Sequence, residues 1–277
     1  MTFTAQQPTA QTQANHHDHA HGGLNQDLEV LFRAMPDRRR LLRMMSLAAV
    51  APVSLMACSD GTTSSSSSSS SGSCSVIPSE TAGPYPGDGT NGPNALTLSG
   101  IVRSNITGSL TSSSVAPGVP LTINLKLVNS GCSSLAGYAV YLWHCTAAGG
   151  YSMYSSGITG DSFLRGVQVA DSGGNVSFTT IFPACYDGRY PHVHFEVYPS
   201  LAQATSGNND VKTSQFTFPS NVYADVYANS NYSGSASNLT KVSLSSDGVF
   251  SDGSSLQIAT TTGSASAGYT ASLQVAV

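Results

Sequence analysis

The sequence predicts an all-β fold, an antiparallel β-sandwich with long loops, preceded by a disordered leader, an export signal and a Ser-rich tether. Three observations lead there. Pro120 to Leu127 alternates apolar and polar residues with the period of two that turns one strand face to a core. Gly, Pro, Asn and Ser punctuate the later sequence at short spacing. No segment carries the period of an amphipathic helix, and there is no internal repeat.

Taken in chain order, residues 1–57 read as leader and signal. Residues 1–34 are polar and include His16, His17, His19 and His21, a tract that as a disordered leader needs no partner but can bind metal loosely. Asp37-Arg38-Arg39-Arg40-Leu41-Leu42-Arg43 followed by apolar Met44 to Ala57 has the basic and apolar regions of an export signal. The consecutive arginines resemble a twin-arginine signal. Leu55-Met56-Ala57-Cys58 resembles a lipoprotein cleavage motif with Cys58 as the lipidated residue, the alternative being an ordinary signal with a chance cysteine. Residues 58–73 are a flexible Ser-rich tether. Both readings of Cys58 put the mature protein outside a cytoplasm, periplasmic or on the cell surface of what the signal suggests is a bacterium. No apolar run reaches the ~18 residues of a membrane span, so a membrane is met only through a lipid on Cys58.

Residues 74–277 form the folded body. Strands are expected at 120–127, 139–143, 176–181, 193–197 and 272–277. Lys and Arg number 11 in the whole chain, and five of them (Arg33, Arg38, Arg39, Arg40, Arg43) lie in the leader. With a net charge of −4 and so few cations in the body, a nucleic-acid partner is excluded. Charged residues make up only 9% of the chain, so Ser, Thr, Asn and Gly must wet the surface. After Cys58 four cysteines remain: Cys74, Cys132, Cys145 and Cys185. An even set in an exported protein implies disulfides with three connectivities. Cys145–Cys185 is favoured, because both lie close to the residues singled out next.

Those residues lie in Ala184-Cys185-Tyr186-Asp187-Gly188-Arg189-Tyr190-Pro191-His192-Val193-His194-Phe195. On a strand, His192 and His194 share a face, with Val193 and Phe195 turned to the core. Two adjacent imidazoles are half of a metal site, or else a pair of hydrogen-bonded strand histidines. A third ligand has two candidates. Glu196 would complete a ferrous two-His-one-carboxylate set, but three same-face residues on one strand spread over ~13 Å, too far for one ion. A tyrosine such as Tyr186 ligates only a metal acidic enough to keep a phenol ionised, for which ferric iron is the natural choice.

At this point the residues reach a family pattern. Glu80-Thr81-Ala82-Gly83-Pro84-Tyr85, Ala136 to Cys145, Gly150-Tyr151-Ser152, Phe163 to Gln168, Phe178 to Pro183, the histidine segment, Ser214-Gln215 and Gly248-Val249-Phe250 follow one another in order. With them the body resembles the intradiol ring-cleavage dioxygenases, the family of catechol and protocatechuate dioxygenases, and most of all its short secreted branch. The resemblance spans nearly all of 75–277. It implies one ferric iron, Fe(3+), per chain, held by Tyr151, Tyr186, His192, His194 and a solvent hydroxide. Two phenolates and a hydroxide would neutralise the ion, which suits a low-charge interior. Arg189 holds the place of the family's active-site arginine, three residues before the first histidine, and would stabilise charge on the reacting ring. Tyr186 joins it as a catalytic residue that takes a substrate proton. Gln215 stands where the family has a glutamine near the site. Tyr85, Tyr154 and Tyr190 are expected at the substrate pocket, while His144 and Arg165 are expected to be structural.

The implied reaction uses O2 to break the bond between the two hydroxyl-bearing carbons of a catechol-type diol, giving a cis,cis-muconate-type diacid. Six basic residues in the body leave little to bind a substrate carboxylate, which favours an uncharged catechol. The chain departs from the catechol-type members in carrying a leader and tether where they have a helical dimerisation region. The competing reading from another class is a non-catalytic exported lipoprotein with a β-sandwich that binds glycans or a protein partner. It requires no convergence of the four ligands.

Overall fold

A computed structural model describes residues 72–277, so the leader, the twin-arginine-like signal, Cys58 and all but the last two residues of the tether lie outside the described residues. Eight strands run in chain order: β1 (Pro120–Val128), β2 (Ala139–Trp143), β3 (Arg165–Val169), β4 (Asn175–Ile181), β5 (Val193–Tyr198), β6 (Lys212–Phe216), β7 (Thr260–Ser264) and β8 (Gly268–Ala276). They form two four-stranded sheets, ordered β4-β1-β8-β7 and β3-β2-β5-β6. Leu121, Ile123, Leu125 and Leu127 of β1 are buried at every second position, as the alternation requires. They join one core with Val140, Leu142, Phe195 and Val197 of the second sheet.

The expectation of purely antiparallel pairing is corrected at one seam. β1 and β8 are parallel, with Leu121 opposite Tyr269 and Leu127 opposite Val275. Most of the body lies between these strands, so no hairpin dictates their direction. The second sheet is antiparallel throughout. The long loops hold only short helices, α1 (Tyr223–Val226) and α2 (Ser235–Leu239), with several single 3-10 turns.

Every residue of β2 and β5 is buried, so both faces of these strands are covered. The outer cover is the segment running through 78–87. Gln215 Nε2 donates to Thr81 O (2.9 Å), Ser214 Oγ to Pro78 O (2.7 Å), and Tyr141 Oη to Pro86 O (2.8 Å).

The expected Cys145–Cys185 bridge is also corrected. The disulfide joins Cys74 to Cys132, stapling the start of the body to the turn after β1. Cys145 and Cys185 are free and buried. Each thiol points to a carbonyl instead, Cys145 to Ala184 O (3.7 Å) and Cys185 to Arg189 O (3.5 Å). Burial pushes both thiols up to about 12, which keeps them protonated and unreactive.

Candidate active site and metal centre

Strand register builds the floor of the site. His194 on β5 lies opposite Gln215 on β6 and Trp143 on β2, and Trp143 lies opposite Arg165 on β3. Opposed residues share a face, so Gln215, His194, Trp143 and Arg165 form one row across the sheet. His192 stands just before β5 on the same face. Trp143 stacks on His194 with ring centroids 4.9 Å apart and planes 8° from parallel, which fixes that imidazole. The covering segment comes so close that a Cβ on Gly83, at φ +72°, would sit 3.3 Å from His194 Cε1.

Two loops bring the phenols. Tyr151 lies in the β2–β3 connection, where its N–H donates to Ser155 Oγ (2.9 Å) and its carbonyl accepts from the Ser155 N–H (2.9 Å). Tyr186 lies in the β4–β5 connection. Tyr151 Oη is 3.3 Å from both His192 Nε2 and His194 Nε2, and Tyr186 Oη is 3.3 Å from His192 Nε2. All four side chains singled out from the sequence as a ligand set therefore converge.

Ligands ~2.1 Å from one ion at ordinary coordination angles lie roughly 3.0–3.6 Å from each other, so these spacings suit a single metal. The donor set of two imidazoles and two phenols fits a hard, highly charged ion. Both imidazoles are held well below the usual histidine range, by burial first and then by repulsion between like charges, from Arg189 for His192 and, were both rings protonated, from His192 for His194. They are neutral at pH 7 and present lone pairs. His192 Nδ1 lies 2.6 Å from Tyr190 O, which assigns its proton there and leaves Nε2 facing the phenols. His194 Nδ1 is buried with no hydrogen-bond partner among the described residues.

Arg189 is buried beside this set, with Nη1 3.5 Å from His192 Nε2. Its Nη2 donates to Gln215 Oε1 (2.7 Å) and its Nε to Asp247 Oδ2 (3.0 Å). Asp247, fully buried, was not singled out from the sequence. A buried arginine needs a counter-ion, and an aspartate just before the Gly248-Val249-Phe250 motif was the available signal.

An open cleft of about 1310 Å³ leads to the phenols. Tyr85, Tyr151, Tyr154 and Tyr186 line it, with Tyr85 packed 5.0 Å from Tyr151 and 5.3 Å from Tyr154. Its lining carries Asp161 and Asp187 but no Lys, Arg or His. Two other residues singled out from the sequence do not line this cleft. Tyr190 packs edge-on against Tyr223 (5.5 Å, 87°), and Gln215 sits behind Arg189 off the cleft wall. Glu196 is also absent from the donor set. It accepts a short hydrogen bond from Tyr198, and burial raises it well above the carboxylate range, which removes the ferrous two-His-one-carboxylate reading.

His144 and Arg165 have structural surroundings. His144 Nδ1 meets Cys145 O (2.8 Å) and Nε2 meets Thr180 Oγ1 (2.7 Å). Arg165 donates to Tyr85 O, Pro86 O and Ser152 O at 2.9, 2.6 and 2.9 Å, tying the cover to the loop of Tyr151.

Residues 98–195 match a family model described as Dioxygenase, a stretch that contains Tyr151, Tyr186, Arg189, His192 and His194. The fold is similar to that of an intradiol ring-cleavage dioxygenase from Tetranychus urticae, with 26% identity, 73% of this chain and 94% of that chain covered, and a TM-score of 0.57. The chain is thus similar to the intradiol ring-cleavage dioxygenases in this stretch and in its fold. The dioxygenase domain of a carbohydrate-binding fusion from Streptomyces sp. SirexAA-E also matches, at 22% identity over 73% of this chain and 98% of that chain, with a TM-score of 0.47. A 3-chlorocatechol 1,2-dioxygenase from Rhodococcus opacus 1CP matches at 17% identity over 72% of each chain, with a TM-score of 0.47. No curated protein matches the chain significantly. In this intradiol-dioxygenase fold, Gln215 and Asp247 lie beyond the matched stretch, and only the tertiary structure connects them to it.

Proposed function

We propose that this protein is an exported, ferric-iron-dependent intradiol dioxygenase that opens a catechol-type aromatic diol with O2 to a cis,cis-muconate-type diacid. The observation that carries the reading is the convergence of two phenols, which line an open cleft, on two buried neutral imidazoles. The non-catalytic binding module gives no reason for it.

In this reading Tyr151, Tyr186, His192 and His194 hold one Fe(3+). When bound, the ion supplies the Lewis acidity and redox reach that let a catecholate react with O2. The rest falls to the chain's own residues. Tyr151 Oη touches both imidazoles and its side chain is buried, so it is the fixed phenolate. Tyr186 is half-buried on the cleft wall with Oη 3.3 Å from His192 Nε2, so it is the phenol placed to meet the substrate and accept a diol proton at Oη. Arg189 presents Nη1 to negative charge building on the ring. Tyr85 and Tyr154 flank the aromatic substrate. With two carboxylates and no cation on the wall, the cleft suits an uncharged catechol.

Export is supported by the arginine-led signal and by the Cys74–Cys132 disulfide, which belongs in an oxidising compartment. A lipid on Cys58 would supply the membrane link.

The test is the visible spectrum with iron content. A broad phenolate-to-iron(III) band that shifts when a catechol is added without oxygen is expected. Tyr151→Phe should lose most of the band and most of the activity. A folded wild-type protein that stays colourless after ferric loading would overturn the reading.

A further inference from the structure

We propose that Asp247 is a positioning residue for Arg189, and that through it the C-terminal loops set the aim of the guanidinium at the reacting ring. The proposal rests on the function proposed above and adds a residue to it.

Asp247 follows the last turn of the loop region 220–246, about sixty residues from Arg189 in sequence, yet its carboxylate meets five donor atoms on four residues. Its Oδ2 accepts from Arg189 Nε (3.0 Å) and from the Tyr190 N–H (2.7 Å). Its Oδ1 accepts from the N–H groups of Val249 (2.9 Å) and Phe250 (3.2 Å) and lies 3.5 Å from Arg189 Nη2. One carboxylate thus joins the turn at 247–250 to the loop that carries Tyr186, Arg189 and His192.

A guanidinium has a rigid planar fork, so fixing two of its nitrogens fixes the third. Asp247 takes Nε and Gln215 takes Nη2, so Nη1 is directed at the donor pocket beside His192. Gln215 is itself pinned by the cover through Thr81 O. The charge argument agrees. Arg189 and Asp247 are both buried, and each would be costly alone. Paired, they put a directed donor at the site without an uncompensated charge next to the four ligands.

The experiment is a double-mutant cycle of Asp247→Asn and Arg189→Gln on the full chain, with iron content and kcat and KM for catechol measured for each protein. Metal-free samples are also compared by the nitrogen–proton NMR signal of Arg189 Nε–H. In the wild-type background Asp247→Asn should lower kcat about 100-fold, the scale of losing one preorganised donor, with KM moving less than threefold and iron retained. In the Arg189→Gln background it should lower kcat less than threefold further. The solvent-protected Nε–H signal should be lost in metal-free Asp247→Asn. Equal losses in both backgrounds, or a kcat within threefold of wild type, would overturn the proposal.

Should Asp247→Asn not fold, Asp247→Glu replaces it, since its longer side chain displaces the guanidinium. Non-additivity with Arg189→Gln then supports the proposal and additivity overturns it. A wild-type protein that binds no ferric iron and cleaves no catechol would sink the proposed function instead. Positioning would then be decided by the Nε–H signal alone: its loss supports the proposal and its persistence overturns it.

Discussion

Replacing Arg165 by Met should destabilise the domain and loosen the site together. Met fills much of the volume but takes away five donated hydrogen bonds. Nη1 serves Pro86 O (2.6 Å) and Tyr141 Oη (3.0 Å), Nη2 serves Tyr85 O (2.9 Å) and Ser152 O (2.9 Å), and Nε serves Ser152 Oγ (3.0 Å). Pro86 O keeps Tyr141 Oη, so two main-chain carbonyls, Tyr85 O and Ser152 O, lose their donor at about 1–3 kcal/mol each. Removing a buried charge returns part of this as desolvation, so the net loss is about 2–4 kcal/mol. For a domain of this size that lowers Tm by about 4–16 °C. Trp143, the sole tryptophan, lies opposite Arg165 in the strand register and reports the melt by fluorescence. Because Ser152 adjoins Tyr151 and Tyr85 packs on it, ferric uptake should weaken too. Arg165→Lys keeps the charge without the fork and should fall between. An Arg165→Met protein that melts within 2 °C of wild type would refute the view that this side chain secures the cover.

Two further outcomes follow from buried groups. Burial pushes His144 down to about 4, while in the unfolded chain it titrates near ~6.5. Between those values the unfolded state holds a proton that the folded state refuses, so His144's contribution is complete above ~6.5 and is lost as the pH falls towards 4. Urea unfolding of metal-free protein should lose about 2 kcal/mol from this group between pH 7 and pH 5, and His144→Asn should flatten the slope by that amount. An unchanged slope would count against it. The Cys74–Cys132 bridge closes a separation of 58 residues, for which loop-closure entropy gives about 4 kcal/mol. Cys74→Ser should lower stability on that scale, and alkylation of unfolded, unreduced protein should mark Cys145 and Cys185 but neither Cys74 nor Cys132.

Much of the fold was legible where a strand buries one face or lies wholly inside. Pro120–Val128 alternates, and Ala139–Trp143 and Val193–Tyr198 are apolar enough to be read directly. Arg165–Val169, Lys212–Phe216 and Thr260–Ser264 were not legible as strands. β3 and β6 place polar side chains on a face that other chain segments cover, where hydrogen bonding replaces hydrophobicity as the signal. β7 is an exposed edge of Thr, Gly and Ser with no buried face to imprint a pattern.

The residue types of the site and their order were readable along the chain: two histidines two apart, an arginine three before them, and tyrosines placed by motif. Those are local, and the period of an extended strand suffices to put His192 and His194 side by side. Tertiary structure alone decided what is non-local. It closed Cys74 on Cys132, set β1 parallel to β8, sent Glu196 to Tyr198, turned Tyr190 towards Tyr223 and carried Asp247 to Arg189. Each depends on which distant segments meet across the sandwich. A buried charge or thiol takes whatever partner packing delivers, and nothing in its neighbouring sequence records that choice.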